Sequence, residues 1–282
     1  MTATTATARS QRHAVRLRPR ATIALTLVSA LGLVAFFWPL FTPNLTVRVS
    51  DGSLSHSTDA PWLFVALLPL LLAVVIAEIA DGGIDAKAIA MLGVLAACGA
   101  ALRPLGAGAT GVQPIFFLLI PAGRVLGRGF GFVLGALTLF ASALLTAGVG
   151  PWLPFQMIGA GWVGFLAGCL PRASGRKEIW LLAGYGVVAG LGYGLLLNMW
   201  FWPFSVTGTG ASPGLAYVPG DALLANLQRF FAFDAATSLG FDVPRAATNF
   251  VLVLIAGKPV LAALRRAARR AAFDAPVEFG AP

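Results

Sequence analysis

Between residues 120 and 171 the chain runs through two long apolar spans separated by one short polar turn, Gly148-Val-Gly-Pro-Trp-Leu-Pro154. Gly127, Gly131 and Gly135 recur every fourth residue and so share one face of the first helix. Gly161, Gly164 and Gly168 do much the same on the second. In lipid there is little hydrophobic force between helices, and faces of small residues let two backbones approach closely enough for dispersion to hold them. The stretch predicts a tight transmembrane helical hairpin with a Trp-Pro turn at one membrane surface. Of the 282 residues, 11% are charged and 58% hydrophobic, and mean hydropathy is +0.83. A soluble domain carries roughly a quarter charged residues, so most of this surface must meet lipid.

The remaining apolar runs give an all-α, polytopic membrane protein of about eight transmembrane helices. A basic arm, 1–20, precedes a run at 21–41, which is long enough to span and has no clear small-residue cleavage site after it. A polar loop, 42–60, leads to a second span at 61–80. Further spans follow at 88–102, 112–126, about 129–147, 155–170, 179–201 and about 245–262. Residues 223–233, LLANLQRFFAF, read as an amphipathic helix lying on the membrane surface. The domains are a basic arm (1–20), two extra helices with their loops (21–86), a six-helix core (87–270) and a tail (271–282).

Charge placement orients this topology. With the N-terminal arm inside, sixteen lysines and arginines fall on inner segments, and only Arg48, Arg103, Arg229 and Arg245 fall on outer ones. That is the bias the positive-inside rule describes, with both termini cytoplasmic in a multi-pass protein of the cell membrane. The net charge of +9 is therefore spent on orientation and not on nucleic acid. Cys98 and Cys169 lie in apolar runs, form no CxxC pair, and read as small packing residues.

Polar groups inside spans need partners, so their location is informative. Under this topology Arg103, Gln113, Trp152, Gln156, Asn198, Trp200, Trp202, Asp234, Arg245 and Asn249 come from different spans and share the outer depth. One reading is an aromatic belt with polar helix ends. The other is an outward-opening pocket whose amides and indoles suit a neutral or zwitterionic organic solute. Arg103 is placed either to hold an anionic group or to pair with Asp234. The face Ala86, Ala90, Gly93, Ala97 is free of bulky side chains and fits either internal packing or a docking face for another subunit. Gly186, Gly190 and Gly194 form a second stripe, read as internal packing. Glu78 reads as a helix-end acid. No phosphate loop, HExxH helix, His cluster or GxSxG elbow occurs, so no catalytic or metal residues are assigned and the chain is not read as an enzyme.

The run AGRVLGRGFGFVLGALTLFASALLTAGVGPWLPFQMIGAGWVGFLAG resembles the substrate-binding membrane subunits (S components) of energy-coupling factor vitamin transporters. So do NMWFWPF and the closing FDAATSLGFDVPRAATNFVLVLIAGKPVLAALRRAARR, with its Asn249, Gly257-Lys-Pro259 and Leu264-Arg265. The similarity covers about 87–270; the first two spans lie outside it. The resemblance implies a six-helix core that captures a vitamin or precursor at the outer face. It implies a transmembrane coupling subunit and two cytoplasmic ATPases as partners, so that ATP is used by those subunits and not by this chain. It also implies toppling in the membrane to release substrate. Alanine-patterned residues on the first core helix mediate association in the family, and map here onto Ala86, Ala90, Gly93 and Ala97, with Gly93 departing from strict alanine spacing. Branch members with the GPW-P-Q turn are linked to cobalamin-type substrates; a corrinoid, a flavin, a thiamine precursor or a deazapurine all suit the residues. A ligand-free membrane scaffold and an intramembrane enzyme are the other readings.

Overall fold

In a computed structural model the protein is described over residues 19–41, 86–104, 111–205, 214–218 and 220–271, with scattered positions between 62 and 77. The described residues form helices and no strands. They are α1 (Pro19–Phe41), α2 (Ala86–Leu102), α3 (Ile115–Leu126), α4 (Arg128–Leu145), α5 (Leu153–Cys169), α6 (Gly175–Ser205), α7 (Leu223–Thr237) and α8 (Leu239–Ala271). Stretches within α1, α4, α6 and α8 are long and apolar enough to cross a membrane, and α2, α3 and α5 are shorter apolar helices. This is an all-helical, polytopic membrane protein. The 1–18 arm, the 42–60 loop, most of the 61–80 span, Glu78 and the tail from 272 lie outside the described residues.

The glycine hairpin forms as the spacing predicts. A Cβ on Gly164 would strike the carbonyl oxygen of Gly131, and one on Gly135 would strike that of Ala160. One on Gly161 would lie 2.9 Å from the Phe132 ring, and one on Gly168 would lie 2.7 Å from the Arg128 backbone. The two helices are therefore antiparallel with backbones in contact. Gly127 does not share the face. It is the joint between α3 and α4, at φ 110°, a conformation open to glycine and strained for other residues. The chain folds back there, and Gly123 also meets the Gly164 carbonyl.

Helix α3 has 12 residues, about 18 Å at 1.5 Å per residue, too short to span alone. Nine of the twelve are buried, because α3 is the axis of the bundle. The α4–α5 hairpin packs on one side of it and the α6–α8 pair on the other. Helix α2 lies against α4, where a Cβ on Gly99 would lie 2.5 Å from Thr138 Cγ2. Helix α1 lies against α5: the Phe36 ring meets Phe155 edge-on at 5.2 Å, and Trp162 Nε1 donates to Ser29 Oγ at 3.1 Å.

Two sequence expectations are corrected. Helix α8 begins at Leu239, not near Arg245, so Arg245 lies inside it and not at its end, and Asn249 lies deeper than one turn. Cys98 and Cys169 are free and exposed, on the outside of the bundle instead of packed within it.

Candidate functional site

The stripe Gly186, Gly190, Gly194 on α6 is internal packing, and what it packs against is polar. A Cβ on Gly186 would lie 3.3 Å from Asn249 Cβ, one on Gly190 3.0 Å from Ala246 Cα, and one on Gly194 would strike the Asp242 carboxylate. One turn further along α6, Asn198 Nδ2 donates to Asp234 Oδ1 at 2.6 Å and also bonds the Ser238 hydroxyl. Helices α6 and α8 are thus antiparallel in a fixed register, with glycines on one side making room for Asn249 and Asp242 on the other. The stripe from Gly186 to Asn198 covers about 18 Å of helix. The polar groups therefore form a ladder down this interface and not the single layer that the topology predicts.

The middle of the ladder is organised by a residue the sequence reading does not single out, Tyr193, itself 4% exposed. Its ring stands edge-on to Phe116 of α3 at 4.8 Å and lies 3.1 Å from where a Cβ of Gly159 on α5 would be. The Arg245 guanidinium sits 5.5 Å from the ring centroid, within cation–π reach. Arg245 Nε donates to Gln113 Oε1 at 2.9 Å, and its Nη1 donates to Gly190 O at 3.2 Å and pairs with Asp242. Arg103 Nη2 donates to Gln156 Oε1 at 3.0 Å. So α3, α5, α6 and α8 each place a polar or aromatic group around one depth, and Arg103 joins them from the end of α2. The signal for Tyr193 is a polar aromatic flanked by Gly192 and Gly194 in an otherwise apolar span.

Three polar atoms in this region carry no hydrogen bond among the described residues: Arg103 Nη1 and both amide atoms of Asn249. Asn249 is fully buried. An unpaired buried amide costs on the order of 1–3 kcal/mol per group, so these atoms are either tolerated strain or the place where something else bonds.

The other predicted site residues are committed elsewhere. Arg103 bonds Gln156 and not Asp234, which bonds Asn198 instead. Trp152 Nε1 donates back into its own turn, to Gly148 O at 3.2 Å. Trp202 is fully buried. Its Nε1 donates to Leu215 O at 2.7 Å, and its ring meets Tyr217 and Phe230, each at 5.4 Å. It fastens α7 and residues 214–218 over the end of α6, which makes it neither a belt residue nor part of the Tyr193 cluster. Trp200 lies against Phe155 at 5.6 Å.

At the opposite end of the bundle lies a second polar group. Glu178, 1% exposed, accepts from Arg124 Nε at 3.0 Å and from Arg265 Nη2 at 2.7 and 2.8 Å. Arg124 Nη1 also donates to Leu170 O at 2.9 Å. This triad ties α3, α6, α8 and the α5–α6 turn together, while Arg128, Arg172, Arg176 and Lys177 around it are exposed. The sequence reading counts Arg124 and Arg265 only as orienting charges.

Ala86, Ala90, Gly93 and Ala97 are all exposed, and among the described residues nothing lies within 4 Å of a Cβ on Gly93. The packed face of α2 is instead Ala88, Leu92, Ala96, Gly99 and Ala100. Internal packing against the described residues is thereby excluded for the small-residue face. No group of three His, Cys, Asp or Glu side chains suited to a metal occurs among the described residues. No family model, curated protein or solved structure matches the chain.

Proposed function

We propose that this chain is a substrate-capture subunit of an energy-coupling-factor-type importer, taking up a vitamin-like organic solute without catalysing a reaction. The observation that carries the reading is the polar group that separate helices bring together, Arg245 against Tyr193 and Gln113 and Arg103 against Gln156, with Arg103 Nη1 and the Asn249 amide without partners among the described residues. Polar groups this deep in an apolar bundle mark substrate paths more often than structure. The exposed cations around Glu178 support a cytoplasmic placement of that end under the positive-inside rule. The Tyr193 cluster then opens toward the outer face, beneath the cap formed by α7. Both termini are cytoplasmic, and the core from 87 to 270 carries the site. The bare α2 face of Ala86, Ala90, Gly93 and Ala97 is the surface offered to a transmembrane coupling subunit, whose two ATPase partners supply the energy. A corrinoid remains one candidate substrate on the GPW-P-Q turn.

The test is native mass spectrometry, with small-molecule extraction, of the protein purified in mild detergent. A stoichiometric vitamin-like adduct released chemically unchanged is the expected result. A ligand-free membrane scaffold is the second reading, and one observation favours it: Gln113, Gln156, Asn198 and Asp234 already bond other side chains. Protein that holds no solute and captures no ATPase subunits would establish the scaffold instead.

A further inference from the structure

We infer that Asn249 is the recognition group of the capture site, and that it takes an uncharged group presenting an N–H donor and a carbonyl acceptor side by side, as in a lactam, an imide or a cyclic urea. The inference rests on the capture-subunit reading and names its substrate class.

The argument begins with what Asn249 lacks. Its Nδ2 and Oδ1 are both buried and both without a partner among the described residues, while the residue across the interface, Gly186, has no side chain to offer. Neighbouring polar side chains in α8 are satisfied: Thr248 donates to Pro244 O at 2.7 Å, and Arg245 is bonded to Gln113, Gly190 and Asp242. Gly186 lies eight residues along α6 from Glu178, about 12 Å, which puts Asn249 near the middle of a hydrocarbon layer roughly 30 Å thick. Water is scarce at that depth, and an amide left bare there is expensive.

What would satisfy both atoms follows from the amide itself. One edge of the side chain offers two N–H donors and the adjacent edge a carbonyl acceptor. An anion would satisfy Nδ2 and repel Oδ1, and a cation would do the reverse. A cis-amide edge satisfies both atoms at once, with two parallel hydrogen bonds. Charge is disfavoured for a second reason. The nearest cation on α8, Arg245, is already paired with Asp242, and an unpaired ion at this depth costs far more than a neutral polar group. Arg103 Nη1, in the layer above, remains for any acceptor at the other end of the molecule.

The experiment uses the full-length protein in detergent and three pairs of probes: uracil and 1,3-dimethyluracil, 2-imidazolidinone and its 1,3-dimethyl form, and 2-piperidone and its N-methyl form. Methylation removes the donor and keeps the ring. Equilibrium dialysis should show each parent held about tenfold more tightly than its methylated partner, the factor for one neutral hydrogen bond of ~1.4 kcal/mol. Asn249→Leu should erase that preference without lowering the unfolding temperature, because it removes two unpartnered buried groups. Equal retention of parent and methylated probes overturns the inference. So does a solute from cell extract that binds wild type and Asn249→Leu alike, with the variant less stable, since Asn249 is then structural. A different solute that wild type holds and Asn249→Leu loses, with no probe bound, refutes the lactam class and leaves the capture reading standing. Wild type that holds neither probe nor solute overturns the capture reading, and this inference with it.

Discussion

Glu178 is held in the interior by three features acting together. It lies in the first turn of α6, where the helix dipole favours an anion. Arg124 and Arg265 both donate to it, and Arg124 also donates to the carbonyls of Leu170 and Ala173. Removing one member of such a group leaves another charge buried and unpaired, which costs about 3–5 kcal/mol. Glu178→Leu should therefore destabilise the purified protein by about that much in a detergent unfolding titration, and Glu178→Gln, which keeps an acceptor, by less. Arg265→Ala should cost least, since its side chain is 34% exposed; equal losses for all three would refute the triad as the tie at this end. Asp221 lies outside the spans, just before α7. A hydrogen bond from Arg229 at 2.5 Å and then the Ala222 N–H hold its carboxyl below the ordinary 3.8. A carboxyl lowered on folding adds stability that is fully present above that ordinary value and is lost as pH falls from it through the lowered one. Amide-exchange protection of residues 223–237, corrected for intrinsic rates, should fall between pH 5 and about 3 in wild type. In Asp221→Asn it should start lower and stay flat; a parallel fall in both would place the sensitivity elsewhere.

Helix pairs were legible where one spacing allows one arrangement. Glycine every fourth residue in an apolar helix predicts close backbone contact, and α4 and α5 meet at the predicted residues Gly131, Gly135, Gly161, Gly164 and Gly168. Gly164→Ala should drive α4 from α5, because the added Cβ falls on the Gly131 carbonyl, and the loss should show as aggregation in size-exclusion chromatography. Gly93→Ala should leave the isolated protein folded, or raise its stability by up to ~1 kcal/mol through helix propensity. Gly93→Leu should also fold, and should lose co-purification with ATPase subunits. If Gly93→Leu aggregates like Gly164→Ala, the α2 face is packed and not presented. The start of α8 was illegible because the continuous apolar run begins only after Arg245, and Asp242 and Pro244 precede it. In the fold Asp242 and Arg245 pair at i, i+3, and the helix runs back to Leu239. The burial of Trp202 was illegible for a similar reason: a belt tryptophan and one covered by a returning segment look the same until residues 214–218 and α7 fold over it. Tyr193 became central through contacts from α3, α5 and α8, which no local pattern in α6 encodes.

At the scale of the whole molecule, the polar residues divide into the Glu178 triad at one end and the ladder from Asn249 to Asn198 toward the other. Exposed cations surround the first: Arg128, Arg172, Arg176 and Lys177. The second ends under α7, whose buried Phe230 and Phe233 cover Trp202 and Met199. Such a dipolar arrangement of charge has one preferred direction in a bilayer, so orientation is the property on which the capture reading depends most. Ser174 in the α5–α6 turn and Leu224 on α7 are both exposed and lie on opposite ends of α6. With Cys98 and Cys169 replaced by alanine, a membrane-impermeant maleimide applied to intact cells should label Leu224→Cys and not Ser174→Cys. Permeabilising the cells should bring Ser174→Cys up to the same level. The reverse pattern would put the Tyr193 cluster beneath the cytoplasmic face, where it could not collect a solute from outside. Labelling of both positions in intact cells would mean that α6 does not cross at all, and would remove the membrane depth from which the cost of the bare Asn249 amide was argued.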